Sequence, residues 1–243
     1  MSTQGETPDG ESGGAPLDIA SVELLHANEG DTWVGREAVH LGDAELAELD
    51  TLLYEDQDAY RERMFGYGLQ DLVTNRIEVV LRGADPDGMR IMGMRAAKEC
   101  SPDPATGTLF YSPSAGLDGK EVVYFDLDSS DPFAQKMVDD EPTGEDYFAE
   151  DTYRLAPGED VVFEMHARRL DGSCEFRIEV DVLAGDGRRS TEVIDAGGEP
   201  FWVSGWASEW DDYEASYIGG VANPDPSSGW RPTGPEDVFP VDY

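Results

Sequence analysis

The clearest signal in the chain is a period of two. In 161–168 the apolar side chains Val161, Phe163, Met165 and Ala167 fall on one face. In 174–182 Cys174, Phe176, Ile178, Val180 and Val182 alternate with Glu175, Arg177, Glu179 and Asp181. Successive side chains of a strand point to opposite faces, so this alternation predicts half-buried antiparallel strands with one wet face. The same reading places strands at 19–27, 32–41, 75–82, 89–99, 121–127, 189–194 and 201–206, about nine in all. Asp171-Gly172 separates the two clearest runs and reads as a hairpin turn, which makes the second half a meander. The stretch 129–146 contains Pro132, Pro142 and Gly144 and reads as a long loop.

One segment follows the helical period instead. Leu46, Leu49 and Leu53 recur on one face, followed by Tyr60 and Met64. Asp43 is the expected N-cap, and Gly66 and Gly68 the expected stop. The predicted fold is mainly β: an antiparallel β-sandwich of the immunoglobulin-like kind with one accessory N-terminal helix. The expected organisation is a disordered leader over 1–16, then strands and helix over 17–70 packed on the main domain. The sandwich covers 71–221, and a proline-rich tail covers 222–243.

Charge changes the picture. The chain carries 53 acidic and 17 Lys or Arg side chains, a formal net charge of −36. Such a surface repels phosphate backbones and anionic lipid, so direct nucleic-acid binding is not expected. No apolar run spans a bilayer and no signal peptide is visible, so no membrane insertion by this chain is expected. With 39% hydrophobic and 10% aromatic residues, a folded domain with a charged skin fits better than a disordered polyanion. Three accounts of the acidity remain: adaptation to salt, an extracellular surface, and a decoy that mimics DNA.

The candidate chemistry is sparse. The cysteines, Cys100 and Cys174, are too few for a zinc site; they form either a disulfide or two free thiols. Asp126, Asp128 and Asp131 alternate at a strand end and are the best candidate ligands for a cation, calcium by their oxygen chemistry. They lack the glycine and distal glutamate of an EF-hand loop, and no other cofactor is indicated. His166 lies on the polar face of its strand beside Glu164 and Arg168 and reads as a solvated histidine; His26 and His40 are the others. No nucleophile elbow, Walker loop or dinucleotide fingerprint occurs, so an enzyme is not expected. Trp202, Trp206, Trp210 and Tyr213, with Tyr217 and Trp230, form an aromatic set able to stack on sugars or anchor a partner. With Phe201 and Val203 in the core, Trp202 is expected to face outward.

The second half resembles an extracytoplasmic β domain of uncharacterised actinobacterial membrane-anchored proteins. The resemblance rests on Tyr124-Phe125-Asp126-Leu127-Asp128, on Tyr147-Phe148, and on Tyr153-Arg154-Leu155-Ala156-Pro157-Gly158-Glu159. It continues through Phe163-Glu164-Met165-His166-Ala167, the Cys174 strand and Gly198-Glu199-Pro200-Phe201, covering roughly residues 75–220. It implies display outside the membrane, where Cys100 and Cys174 oxidise; the strand pattern, the cysteine pair and the aromatic set lead to the expectation of a protein or glycan partner. Two departures stand against it: the chain carries no visible anchor, and its helix lies outside the resembling stretch. A cytoplasmic relative with free thiols is the alternative. The expectation is a non-enzymatic binding domain, with a carbohydrate-binding module and an acidic decoy or salt-adapted protein as alternatives.

Overall fold

The computed structural model describes residues 14–25, 32–112, 122–138, 141–149, 152–219 and 229–234. Its strands in the first half are β1 (Leu17–Leu25), β2 (Trp33–Gly35), β3 (Leu69–Asp71), β4 (Thr74–Gly83), β5 (Met89–Ser101), β6 (Thr108–Tyr111) and β7 (Val122–Asp126). Then follow β8 (Gln135–Val138), β9 (Glu141–Asp146), β10 (Tyr153–Leu155), β11 (Asp160–Arg168) and β12 (Ser173–Ala184). The last four are β13 (Arg189–Ile194), β14 (Phe201–Ser204), β15 (Ala215–Ile218) and β16 (Arg231–Pro232). Two helices, α1 (Asp43–Glu55) and α2 (Gln57–Gly66), lie between β2 and β3.

The strands form three sheets. The first has the order β1-β4-β11-β7-β8-β9. The second has the order β10-β5-β12-β13, with β14 also paired to β12. The third has the order β16-β15-β6-β2-β3. Sheets one and two enclose one apolar core. Ile77, Val79, Leu81, Phe163 and Met165 from the first meet Ile91, Met94, Phe176, Ile178 and Val180 from the second, all buried. Apart from Met94, which a shift of register in β5 brings inward beside Ile91, these are the positions that the period of two places inward, because burying one face is what fixes a strand's register. Phe201 and Val203 join this core as expected.

The third sheet has two apolar faces. One packs Trp33, Leu69, Phe110 and Tyr217 against Leu46, Leu49, Leu53, Tyr60 and Met64 of the helices. The other packs Val34, Leu109, Tyr111 and Ile218 against Leu72, Trp202 and Tyr213, and so meets the sandwich. Within the proline-rich stretch, Trp230 is buried edge-on against Phe110, and Arg231–Pro232 pairs with β15.

Several expectations are corrected. The helical segment is two helices, because Asp56 leaves helical geometry and caps α2 by accepting from the Ala59 N–H. The N-cap of α1 is Gly42 rather than Asp43, and Glu45 reaches back to the Gly42 N–H. The sheets are mixed rather than wholly antiparallel: β11 runs parallel to β7, and β15 parallel to β6. Asp171-Gly172 is not a hairpin turn, since β11 belongs to the first sheet and β12 to the second; the link crosses between layers. The stretch 129–146 holds β8 and β9 and is not a single loop. Strands outnumber the expected nine because many have only three or four residues, too few to show a period.

The backbone is tightest where the three sheets meet. Val73 has φ 70°, in the left-handed region that β-branched residues avoid. The Thr74 N–H donates to Leu72 O across it, closing a γ-turn. Val73 also donates to Ser204 O and accepts from the Arg169 N–H, so all three sheets hold it in place. Next to it, Gly205 passes so close to the Leu170–Asp171 backbone that a Cβ there would overlap Leu170 O.

Two stability measurements follow from this packing. Gly205→Ala forces two backbones apart and is expected to lower the denaturant midpoint by ~1–3 kcal/mol of unfolding free energy, as overpacking does; an unchanged midpoint would refute the contact. Reducing the Cys100–Cys174 bond, which spans 74 residues, is expected to cost up to ~4 kcal/mol in the loop-entropy account. Urea curves with and without a thiol reductant check it.

Candidate functional site

The cysteines form a disulfide. Cys100 on β5 and Cys174 on β12 stand directly opposite each other in an antiparallel register, so the bond links neighbouring strands of one sheet. Immunoglobulin domains instead carry theirs between the two sheets. Cys174 is buried in the core and Cys100 lies exposed at the ladder's end. Just beyond, the Ser173 hydroxyl donates to Asp103 O, and the Ala105 N–H donates to Ser204 Oγ. The bond therefore closes the corner from which the chain leaves the sandwich for the third sheet.

Asp126, Asp128 and Asp131 are not brought together as a ligand set. Asp128 is 2.7 Å from Arg169 and accepts from the Leu170 N–H. Asp126 accepts from the Asp128 N–H, and Asp131 pairs with Arg95 on another sheet. Their charges hold the β7 end and the crossing link in place. Among the described residues no group of three His, Cys, Asp or Glu side chains is arranged to hold a metal. Lys98 closes the same end of the core, donating to the carbonyls of Leu127 and Ser129. Burial holds its ammonium below the usual lysine range, and the nearby Arg169 charge adds to the shift.

The aromatic set divides. Trp202 does lie on the face of β14 opposite Phe201 and Val203, but it does not face solvent. The Arg36 guanidinium sits 4.6 Å above its ring while pairing with Glu175 at 2.8 Å, and Trp202 is only 9% exposed. Tyr213, Tyr217 and Trp230 are buried, and Tyr217 stacks on Phe110. Trp206 and Trp210 remain half-buried on the loop after β14, with ring centres 6.3 Å apart and planes 31° apart. Both rest edge-on against Tyr111. The Tyr213 hydroxyl accepts from the Ala207 N–H and ties this loop down.

His166 corrects a further expectation. It is 8% exposed rather than solvated, and its Nε2 lies 2.8 Å from Oε1 of Glu164, itself 6% exposed. Both stand on the outer face of β11, a central strand of the first sheet. Register sets Tyr124 and Arg76 on either side of His166. Burial pushes the Tyr124 hydroxyl above the ordinary tyrosine range, against the pull of Arg168. The alternation marks this face as polar; its burial depends on the strand's central place, which alternation does not report. His40 is exposed, and His26 lies outside the described residues.

Tyr213 supplies a pH test. Burial raises its pKa above the usual value near 10. The neutral phenol is thus favoured in the folded state, so its contribution is complete below the ordinary tyrosine pKa and is lost as pH rises through the raised one. Alkaline titration is expected to loosen the 205–213 loop, read as a red shift of tryptophan emission. Tyr213→Phe is expected to cost ~1 kcal/mol for the orphaned Ala207 N–H and to remove that alkaline step. An unchanged step in the variant would refute the assignment.

No helix among the described residues is long and apolar enough to cross a membrane. Comparison by family model, by curated protein and by solved structure finds no match to this chain.

Proposed function

We propose that the chain is a non-catalytic recognition domain that works outside the cytoplasm, at the cell envelope, with a protein or glycan as its partner. The observation that carries this reading is the Cys100–Cys174 disulfide, because such bonds persist where the surroundings are oxidising. The two sheets around one core support its use as a rigid scaffold of the immunoglobulin-like kind, with loops free to vary around it. The resemblance of the second half to extracytoplasmic actinobacterial domains points the same way. Thiol titration of natively sourced protein under denaturing, non-reducing conditions tests the compartment. No free thiol at unchanged monomer mass is expected; two free thiols would overturn it. Reproducible turnover of any substrate would overturn the non-catalytic part.

A second reading, carbohydrate binding, is favoured by Trp206 and Trp210 alone. They are the tryptophans that are half-buried rather than buried, and sugars stack on aromatic faces. Binding on a glycan array that is lost in both Trp206→Ala and Trp210→Ala is the expected result under this reading. A blank array on the wild-type chain removes it.

A further inference from the structure

The outer face of the second sheet carries an arrangement at odds with the chain's composition. Register places Arg154 of β10 opposite Arg90 of β5, Arg90 opposite Leu183 of β12, and Leu183 opposite Arg189 of β13. Directly opposed residues share a face, so these side chains form one row across four strands, ~14 Å long at ~4.8 Å per strand spacing. Like charges set opposite each other destabilise a sheet. In a chain of net charge −36, acids to neutralise them are abundant. Eight other arginines, among them Arg82, Arg169 and Arg177, hold carboxylates. Arg90, Arg154 and Arg189 hold none among the described residues. Of the acids near this end, Asp186 binds Arg188, and Asp85 accepts from the Asp87 N–H.

The neighbouring row completes a site. Between Ile91 and Gly93 the β5 ladder shifts by one residue against Asp181–Val182, so Met92 is an inserted bulge. The bulge lets Ile91 and Met94 both enter the core, and it opens the outer face beside Gly93. A cavity of about 260 Å³ lies here, lined by Met92, Asp181, Val182, Arg189, Ser190 and Thr191. At ~30 Å³ per water this is room for a sugar ring. The Asp181 carboxylate is fixed by the Thr191 hydroxyl at its Oδ1. Its Oδ2 turns toward Gly93, 4.0 Å from where a Cβ would stand.

We propose that this face binds a small acidic sugar, a polyhydroxylated molecule carrying one carboxylate or phosphate. The oxyanion sits on Arg189, the arginine of the row that lines the cavity, with Arg90 next along the row, and guanidiniums match it with paired N–H donors. The sugar hydroxyls donate to Asp181 and exchange hydrogen bonds with Thr191, while Met92 and Leu183 meet its C–H face. A long polyanion is excluded by the net charge, whereas a short ligand feels the local guanidiniums within a Debye length of ~8–10 Å. The proposal rests on the reading of the chain as a recognition domain.

The test titrates the full chain, observed by amide NMR, with glucuronate, glucose 6-phosphate, glucose and inorganic phosphate. Both acidic sugars are expected to shift amides in 89–93, 153–155 and 181–191, and to bind about tenfold tighter than glucose or phosphate alone. The double variant Arg90→Gln/Arg189→Gln is expected to lose about tenfold in affinity at undiminished Tm, since neither guanidinium holds a carboxylate among the described residues and one like-charge pair is relieved. Asp181→Asn is expected to narrow the gap between glucose 6-phosphate and phosphate. No binding of either sugar acid, equal binding by the double variant, or phosphate binding as tight as the sugars would overturn the proposal. Shifts at these residues together with conversion of the ligand would support the site and overturn the non-catalytic reading.

Discussion

The antiparallel ladder between β5 and β12 runs over twelve residues of β12, from Ser173 to Ala184, and the rest of the molecule is arranged around it. On its inner face it presents Ile91, Met94, Ala96, Phe176, Ile178 and Val180, half of the sandwich core. One end carries the Cys100–Cys174 bond and the corner from which the third sheet departs. The other end carries the Met92 bulge and the arginine row. A ladder this long gives a rigid frame because a slip of one residue turns every core side chain into water. The bulge is the one place where the phase is reset.

Charge is organised around that frame. Most arginines whose partners are known act as braces. Arg36 joins β2's end to Glu175 of the sandwich and roofs Trp202; Arg169 ties the crossing link to Asp128. Arg82 pairs with Asp160 across β4 and β11, and holds that carboxyl below its usual range. The pair is exposed, so its net worth to stability is small and salt-dependent. With so few cations, a guanidinium left without a carboxylate, as on the outer face of the second sheet, stands out against the others.

How much was legible depended on element length. The β11 and β12 patterns run over nine and twelve residues, enough for Phe163, Met165, Phe176 and Ile178 to declare their face. The helical period of Leu46, Leu49 and Leu53 was equally clear, although the break at Asp56 was not. Strands such as β2 and β3 have three residues each and carry no period, so the third sheet could not be drawn from sequence. Alternation puts Trp202 on the face of β14 opposite Phe201 and Val203, but its cover comes from Arg36, which lies far away in the chain. His166 shared its face with Glu164, Arg168 and solvent-like neighbours in sequence, and only the central position of β11 buries it.

By itself the sequence determined that the chain is mainly β, that long alternating strands build one core, and that the surface is strongly acidic. Those properties follow from local alternation and from composition, which every residue carries wherever it lies in space. Tertiary structure decided what depends on pairing between distant segments: the parallel contacts of β7 with β11, the joining of Cys100 to Cys174, and the dispersal of Asp126, Asp128 and Asp131 to separate partners. It also decided that Arg90, Arg154 and Arg189 stand in one row. The physical reason is that register is fixed by burial of whole faces across the sandwich, and no local pattern encodes which strand will lie beside which.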